Sequence, residues 1–191
     1  RVMPLFHQRR LYPKVRSFID EGINGFTRKR IFTRFNEILQ ALGRFHLLPA
    51  LFFLQSRSEC DAAVGIVRRG TSRWKDEESF QRDLDELLER FPYIREHKQL
   101  ASMRRFRVGA HHGGQLPAWK FVVETMMKKG HLDAVFATAT MAAGVNFPAR
   151  SVVLFNSDRY NGHECVPLNA TELHQMTGRA GRRGEDNIGF M

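Results

Sequence analysis

Three short apolar runs, separated by segments of helical periodicity, constrain the fold of this 191-residue chain more than any other feature. Residues 47–54 (LLPALFFL), 133–138 (DAVFAT) and 151–155 (SVVLF) each have the length and character of a buried strand. A shorter run at 107–111 predicts a fourth strand. Strands that alternate with helices form a parallel sheet covered on both faces, so the sequence predicts an α/β fold.

Helical periodicity fills the intervals between these runs, and it predicts helices at residues 31–42, 58–67, 116–129 and 171–179. Asn169, with Glu172 three residues later, resembles a capping box at the start of the last helix. Residues 71–105 are strongly charged, with one apolar stripe before Pro92 and a second short helix at 94–103. We expect this segment to be a helical pair inserted on the surface of the domain.

The two ends of the chain differ from its middle. The first thirty residues are basic and are interrupted by Pro4 and Pro13. They predict a connector (residues 1–30) from a missing upstream domain, with an arm that contacts nucleic acid as the alternative, before a domain of residues 31–191. The chain begins with Arg1, and residues 187–191 look like the opening of a strand. We therefore expect a fragment of a longer protein.

Composition narrows the class of partner. The net charge is +10, and Arg outnumbers Lys by 23 to 7, which suits phosphate because the guanidinium fork matches phosphate oxygens. No apolar stretch approaches the roughly 20 residues of a membrane span, and the start lacks a signal-peptide pattern. Cys60 and Cys165 lie far apart, which argues against a disulfide scaffold or a structural zinc site. We expect no membrane partner, no metal site and a cytoplasmic location, or a nuclear one in a eukaryote.

Residues 175–184 (QMTGRAGRRG) carry the strongest chemical pattern. Gln175, Arg179 and Arg182 are spaced by four and then three residues, which places them on one helical face if the helix continues through them. Two guanidinium groups and an amide on one face are suited to hold a triphosphate and to neutralise charge on a transferred phosphoryl group. The alternative is a flexible basic loop that touches RNA without specificity.

Three other segments place polar or small residues directly after predicted strands. Gln55-Ser56-Arg57 follows the first strand, and the hydroxyls of Thr138 and Thr140 follow the third, with Gly144 and Asn146 beyond them. The carboxyl ends of parallel strands commonly bind phosphate. A helix-capping Ser56, a surface Arg57 and an ordinary strand-to-loop junction are the alternatives.

The fourth segment is AHHGGQLP at residues 110–117. Adjacent side chains on a strand face opposite ways, so His111 and His112 are poor candidates for a shared metal site. We expect one of them in the core and the other within reach of a ligand. Gly113 and Gly114 are suited to present backbone N–H groups to a phosphate.

Together, these four segments resemble the second RecA-like domain of superfamily-two (DEAD/DEAH-box) helicases, and most of all the superkiller-type RNA helicases. FFLQSR matches motif IV, HHGGQLP motif IVa, FATATMAAGVNFPAR motif V and QMTGRAGRRG motif VI, in the order of the family. The resemblance implies a RecA-like parallel sheet sandwiched by helices. The charged insertion at about 71–105 falls where this branch carries extra helices.

The resemblance also implies roles for individual residues. Arg179 and Arg182 look like arginine fingers on the ATP γ-phosphate, and Gln175 looks like the glutamine that senses the nucleotide and the attacking water. Gly144 and Asn146 match the end of motif V that faces the nucleotide. Six positions match those that bind the nucleic-acid backbone: Ser56, Arg57, His112, Gly113, Thr138 and Thr140.

Two motifs of a complete motor do not occur in the sequence, namely a GxGKT phosphate loop and a DExH segment. The resemblance therefore implies that ATP binds with Mg2+ whose ligands come from an N-terminal RecA-like domain of the same parent chain. We expect the isolated chain to hydrolyse ATP poorly, because it supplies only the arginine fingers.

The motifs differ in the nucleic acid that they favour. Ala139 and Ala143 depart from the superkiller pattern, and AAGVN is closer to the archaeal repair helicases that unwind DNA. Arg183 after Arg182, together with HHGGQLP, is typical of the RNA branch. We expect RNA as the partner, through single-strand backbone contacts. A DNA repair helicase and a non-catalytic nucleic-acid-binding module are the alternatives.

Overall fold

The computed structural model describes residues 6–7, 10–11, 34–68, 76–139, 147–156, 158–160, 163–182 and 184–191. The strands are β1 (Phe6–His7), β2 (Arg10–Leu11), β3 (Ala50–Leu54), β4 (Val108–His111), β5 (Ala134–Thr138), β6 (Ser151–Leu154), β7 (Asp158–Tyr160) and β8 (Cys165–Pro167). The helices are α1 (Phe35–Arg44), α2 (Arg57–Ile66), α3 (Glu77–Arg90), α4 (Leu100–Phe106), α5 (Pro117–Lys128) and α6 (Ala170–Thr177), with a 3-10 helix at Pro92–Glu96.

Four strands form the central sheet in the order β4-β5-β3-β6, and every pair in it is parallel. In the register, Ala50 at the start of β3 lies opposite Ala134 of β5 and Ser151 of β6. The amino ends of these strands therefore share one edge of the sheet, and their carboxyl ends share the other. This arrangement confirms the predicted α/β fold, and the four strands are the four that the sequence predicts.

The sheet is buried on both faces, which explains why its strands are continuous apolar runs rather than alternating ones. Successive side chains of β3 point to opposite faces. Leu51 and Phe53 join a core that includes α3, α4 and α5. Phe52, on the other face, packs among the aromatic rings of Phe35 and Phe136, with ring centroids 5.9 and 5.1 Å away.

The charged insertion is not a surface appendage, contrary to the sequence-based expectation. The apolar stripe of α3 lies in the same core cluster as the β3 side chains, and Ile94 of the 3-10 helix and Met103 of α4 are fully buried there. The side chain of Arg107, which is 2% exposed, stacks over the Phe80 ring and pairs with Glu77. The helices of the insertion therefore form part of one layer of the fold.

The boundaries of the predicted elements agree with the observed ones within a few residues, with two differences, and the strands β7 and β8 were not predicted. The second helix of the insertion is divided into the 3-10 helix and α4, which ends where Arg107 adopts a left-handed φ of 57°. Near the end of the chain, Phe190 makes a single parallel bridge to Ser151. Of the predicted connector, the structure describes only the short β1–β2 pair. Within the described ranges, no helix has the length and apolar character needed to cross a membrane.

Candidate functional site

The fold brings the first set of predicted residues to one edge of the sheet. β3, β5 and β4 are neighbours, and they end at Leu54, Thr138 and His111. The residues that follow β3 and β4 therefore emerge on either side of the end of β5. Ser56, Arg57, His112, Gly113 and Thr138 all lie at this carboxyl edge. Thr140 lies outside the described residues.

Arg57 is exposed at the first position of α2, and its side chain lies against the loop after β4. A Cβ atom on Gly113 would lie 3.3 Å from the Arg57 Nη2, and one on Gly114 would lie 3.2 Å from its Cδ. Because neither glycine has a side chain, the arginine can lie directly on the loop backbone. Backbone N–H groups and a guanidinium are thus adjacent at an exposed surface, and both are groups that bind phosphate.

Ser56 has a local structural role. It is the N-cap of α2, where its Oγ accepts a hydrogen bond from the Glu59 N–H at 3.2 Å. The Glu59 carboxylate in turn accepts from the backbone N–H groups of Ser56 and Gln55 at 3.2 and 3.0 Å. This reciprocal capping box fixes the point at which the chain turns from β3 into α2. It therefore sets the position of Arg57.

The two histidines face opposite ways, as predicted, but both are buried. His111 is 0% exposed and its Nε2 lies 2.8 Å from the Glu124 carboxylate of α5. Burial lowers the pKa of His111, although the Glu124 carboxylate opposes this effect. His112 is 3% exposed and points to α2, with its Nε2 3.0 Å from Asp61 Oδ1. Neither imidazole is exposed in the structure, and the expectation that one of them reaches a ligand stays a prediction.

Sequence reasoning missed Asp61, although it is the acceptor for four side chains around this loop. They are His112, Gln115, Lys98 and Gln99, at 3.0, 2.9, 2.5 and 2.6 Å. Burial raises the pKa of Asp61, but hydrogen bonds from Lys98 and His112 outweigh it, and the net pKa lies below its ordinary value. The sequence signal that could have identified Asp61 is its position four residues after Arg57, on the same face of α2. In the described part of the chain, no three potential metal ligands come together.

The second set of predicted residues begins on α6. The predicted capping box is confirmed, because Asn169 Oδ1 accepts from the Glu172 N–H at 2.8 Å and the Glu172 carboxylate accepts from the Asn169 N–H at 3.0 Å. The helix ends at Thr177. Gln175 therefore lies on α6 and is exposed, whereas Arg179 and Arg182 lie in the segment beyond it.

The helix does not continue through Gln175, Arg179 and Arg182, so the condition for their sharing one helical face is not met. Gly178 caps the helix, and beyond it Gly181 adopts a left-handed φ of 89°, which glycine reaches without strain. These glycines are poor helix formers, and they lie in the segment where the chain leaves α6. The arginines are placed by a loop.

Arg182 is held in that loop by Asp186, the second residue that sequence reasoning missed. The Asp186 side chain is 2% exposed and accepts from the Arg182 Nε at 2.8 Å, while Glu185 lies 2.5 Å from the Arg182 Nη1. The hydrogen bond to Asp186 raises the pKa of Arg182, and the same bond lowers that of Asp186. The sequence signal that could have identified Asp186 is its position four residues after Arg182.

This second set lies at the opposite edge of the sheet from Arg57. The Gly181 N–H bonds to the Ala149 carbonyl at 2.8 Å, just before β6. Asp186 also contacts the Nε of Arg150 at 3.4 Å, and the Arg150 N–H bonds to the carbonyl of Pro49, just before β3. A strand of five residues spans roughly 16 Å, so the two sets are separate sites. Gly144 and Asn146 lie outside the described residues.

Most of this chain is similar to known proteins. The family described as "Helicase conserved C-terminal domain" matches residues 49–184. The DExH-box ATP-dependent RNA helicase DExH15 of Arabidopsis thaliana is 36% identical over 173 residues, which cover 88% of this chain. The probable helicase HelY of Mycobacterium tuberculosis is 39% identical over 158 residues, which cover 78% of the chain. The antiviral helicase SKI2 of Saccharomyces cerevisiae is 30% identical over 193 residues, with 88% of the chain covered. The chain spans 14, 17 and 14% of the lengths of these curated relatives.

Proposed function

Because the chain belongs to the helicase C-terminal domain family, in its superkiller-type branch, we propose that it is the second motor domain of an ATP-dependent RNA helicase. The observation that carries the proposal is the separation of two cationic sites on opposite edges of one RecA-like sheet. A motor domain needs one surface for the nucleic acid and another for the nucleotide. This chain has a candidate for each.

The carboxyl edge is the proposed surface for the RNA strand. Arg57 and the backbone of Gly113 are exposed there, and Thr138 ends the strand between them. Contacts to phosphate and sugar carry no sequence information, so the binding is expected to tolerate any sequence and to weaken with salt. The preference for RNA over DNA rests on the motifs and on the similarity of the chain to proteins that are named RNA helicases.

The amino edge is the proposed surface for ATP. Gln175, Arg179 and Arg182 are the groups that would hold the triphosphate, and their amide and guanidinium groups fit an anionic ligand. Bound ATP with Mg2+ supplies the phosphoryl transfer that drives the motor. In that reaction, the two guanidinium groups neutralise charge on the transferred group. We assign the magnesium ligands to an N-terminal RecA-like domain of the same parent chain, so the isolated chain is expected to turn over ATP poorly.

The test uses the full-length parent protein, with ATP turnover and unwinding measured on matched RNA and DNA duplexes. We expect faster unwinding of RNA, and we expect Arg182→Ala to abolish turnover while leaving strand binding largely intact. Arg104→Ala, which removes an exposed arginine paired with Asp85, is the matched control. Normal turnover in Arg182→Ala would contradict the nucleotide site, faster unwinding of DNA would favour a repair helicase, and no turnover in the unaltered parent would favour a non-catalytic binding module.

A further inference from the structure

The carboxylate of Asp61 links three elements that are distant in the sequence. It belongs to α2, and it accepts hydrogen bonds from Lys98 and Gln99, which precede α4, and from His112 and Gln115, which follow β4. Gln99 is 3% exposed, and its Oε1 accepts from the Ala110 N–H of β4 and from the Trp119 indole at 3.0 and 3.3 Å. Because three of its four donors, Gln99, His112 and Gln115, are buried, this carboxylate is anchored in the fold.

His112 connects this carboxylate to the backbone of the loop. The Gly114 N–H donates to the His112 Nδ1 at 3.2 Å, so this nitrogen carries no proton. With Nδ1 as an acceptor, the ring proton is on Nε2, which donates to Asp61 Oδ1. A carboxylate that fixes the tautomer and orientation of a histidine in this way also fixes whatever the other ring nitrogen holds. Here the other ring nitrogen, Nδ1, holds the N–H of Gly114.

The Arg57 side chain covers the exposed side of this loop. Arg57 precedes Asp61 by one helical turn on α2, and its side chain lies on Gly113 and Gly114. Gly114 therefore lies between the Arg57 side chain, on the exposed side, and the His112 ring, on the buried side, and Gly113 lies against Arg57.

We infer that Asp61 is a positioning residue for strand binding. Through His112, it holds the Gly114 N–H on the buried side and so orients the loop with the Gly113 backbone and the Arg57 guanidinium facing one phosphate path. This inference rests on the proposed function of the carboxyl edge. It also gives the helical insertion a part in strand binding, because Lys98 and Gln99 of that segment hold the same carboxylate.

The first test is independent of RNA. Nitrogen-15 NMR of the imidazole rings in the 191-residue chain should show His112 with its proton on Nε2. Asp61→Asn replaces one acceptor oxygen with a donor, so we expect it to change the His112 ring resonances and the Gly113 and Gly114 amides. Asp85→Asn, at an exposed pair with Arg104, should leave them unchanged. Unchanged His112 and Gly114 signals in Asp61→Asn would overturn the inference.

The second test measures binding of a fluorescent single-stranded oligouridylate to the same chain. Both substitutions raise the net charge by one, so simple electrostatics predicts equal or tighter binding for each. We expect Asp61→Asn to bind about tenfold more weakly, the effect of losing a charge-assisted hydrogen bond, and Asp85→Asn to bind as the unaltered chain does. Equal affinities would contradict the positioning role. A lack of binding by the unaltered chain would count against the proposed function, and the NMR result would still decide the link between Asp61 and His112.

A second pair of variants covers the case in which Asp61→Asn does not fold. His112→Gln retains a donor for Asp61 and an acceptor for the Gly114 N–H, whereas His112→Phe has a similar shape and neither group. We expect binding by His112→Gln to exceed that by His112→Phe severalfold, with similar melting temperatures. Equal binding by the two would show that shape alone matters, and the inference would fail.

Discussion

The carboxylate of Asp186 accepts hydrogen bonds from the backbone N–H, the Nε and the Nη2 of Arg182, at 3.0, 2.8 and 3.1 Å. This contact fixes both the chain direction and the side-chain direction of the arginine proposed to reach ATP. It also ties the loop to the sheet, since Asp186 contacts Arg150 at the start of β6. The arginine is therefore positioned before any nucleotide arrives.

Removal of this carboxylate should destabilise the folded chain. Asp186→Ala leaves the largely buried Arg182 guanidinium without its main partner, at a cost of about 1–3 kcal/mol in the free energy of unfolding. Urea unfolding followed by circular dichroism measures the change. Glu185→Gln is the control, because the Glu185 side chain is 61% exposed and its pair with Arg182 is worth about 0–1 kcal/mol. Equal losses in the two variants would contradict the central role of Asp186.

Arg57 should account for one phosphate contact in single-strand binding. For Arg57→Gln, we expect weaker binding of oligouridylate and a slope of log affinity against log salt that is smaller by about 0.7, the value for one contact on a single strand. A salt titration by fluorescence anisotropy gives both quantities. Arg104→Gln removes an exposed arginine of the insertion and should leave the slope unchanged. An unaltered slope in Arg57→Gln would place the strand elsewhere.

The charged insertion should contribute to global stability. Leu84 is fully buried in the core cluster, so Leu84→Ala should lower the free energy of unfolding by about 2–5 kcal/mol. Glu86→Ala, on an exposed position of the same helix, should change it by less than about 0.5 kcal/mol. Thermal and urea unfolding of both variants provide the comparison. A small effect of Leu84→Ala would restore the interpretation of a surface appendage.

Two glycine-to-alanine substitutions should change the stability of the folded chain in opposite directions. A Cβ on Gly189 would lie 2.4 Å from the backbone of Ala180, so Gly189→Ala must separate the end of the chain from the loop that carries Arg182. A Cβ on Gly65 meets nothing within 4 Å, and Gly65→Ala in α2 should raise stability by about 0.5–1 kcal/mol. Melting temperatures should fall for the first and rise for the second. Stabilisation by both would contradict the close contact at Ala180.

Burial of His111 should make stability depend on pH near neutrality. Burial lowers the pKa of His111 below its ordinary value of 6.5, so between the two values the unfolded chain binds more protons than the folded one. The contribution of His111 is therefore complete above pH 6.5 and is lost as the pH falls through its folded pKa. His111→Gln, which can still donate to Glu124, should reduce the loss of stability between pH 7.5 and 5.5. An unchanged pH profile would contradict this origin.

Local patterns were sufficient to predict the central sheet, most of the helices and the class of fold. Apolar runs predicted β3, β4, β5 and β6, and the spacing of Asn169 and Glu172 predicted the cap of α6. Such signals depend on residues within a few positions of each other, so one sequence contains them in full. The residues of the first candidate site were also identifiable, since each follows a predicted strand.

The partners of those residues depend on contacts between distant parts of the chain. Asp61 meets His112 across 51 positions, and nothing in the spacing of the two residues encodes that meeting. Likewise, periodicity alone does not show whether another part of the protein covers the apolar stripe of α3. The stripe is buried only because the insertion packs against the sheet. The sequence establishes which side chains follow each strand, because strand and helix formation are local. The packed fold establishes which edge they share and which acids hold them, because hydrogen bonds and burial depend on distance in space.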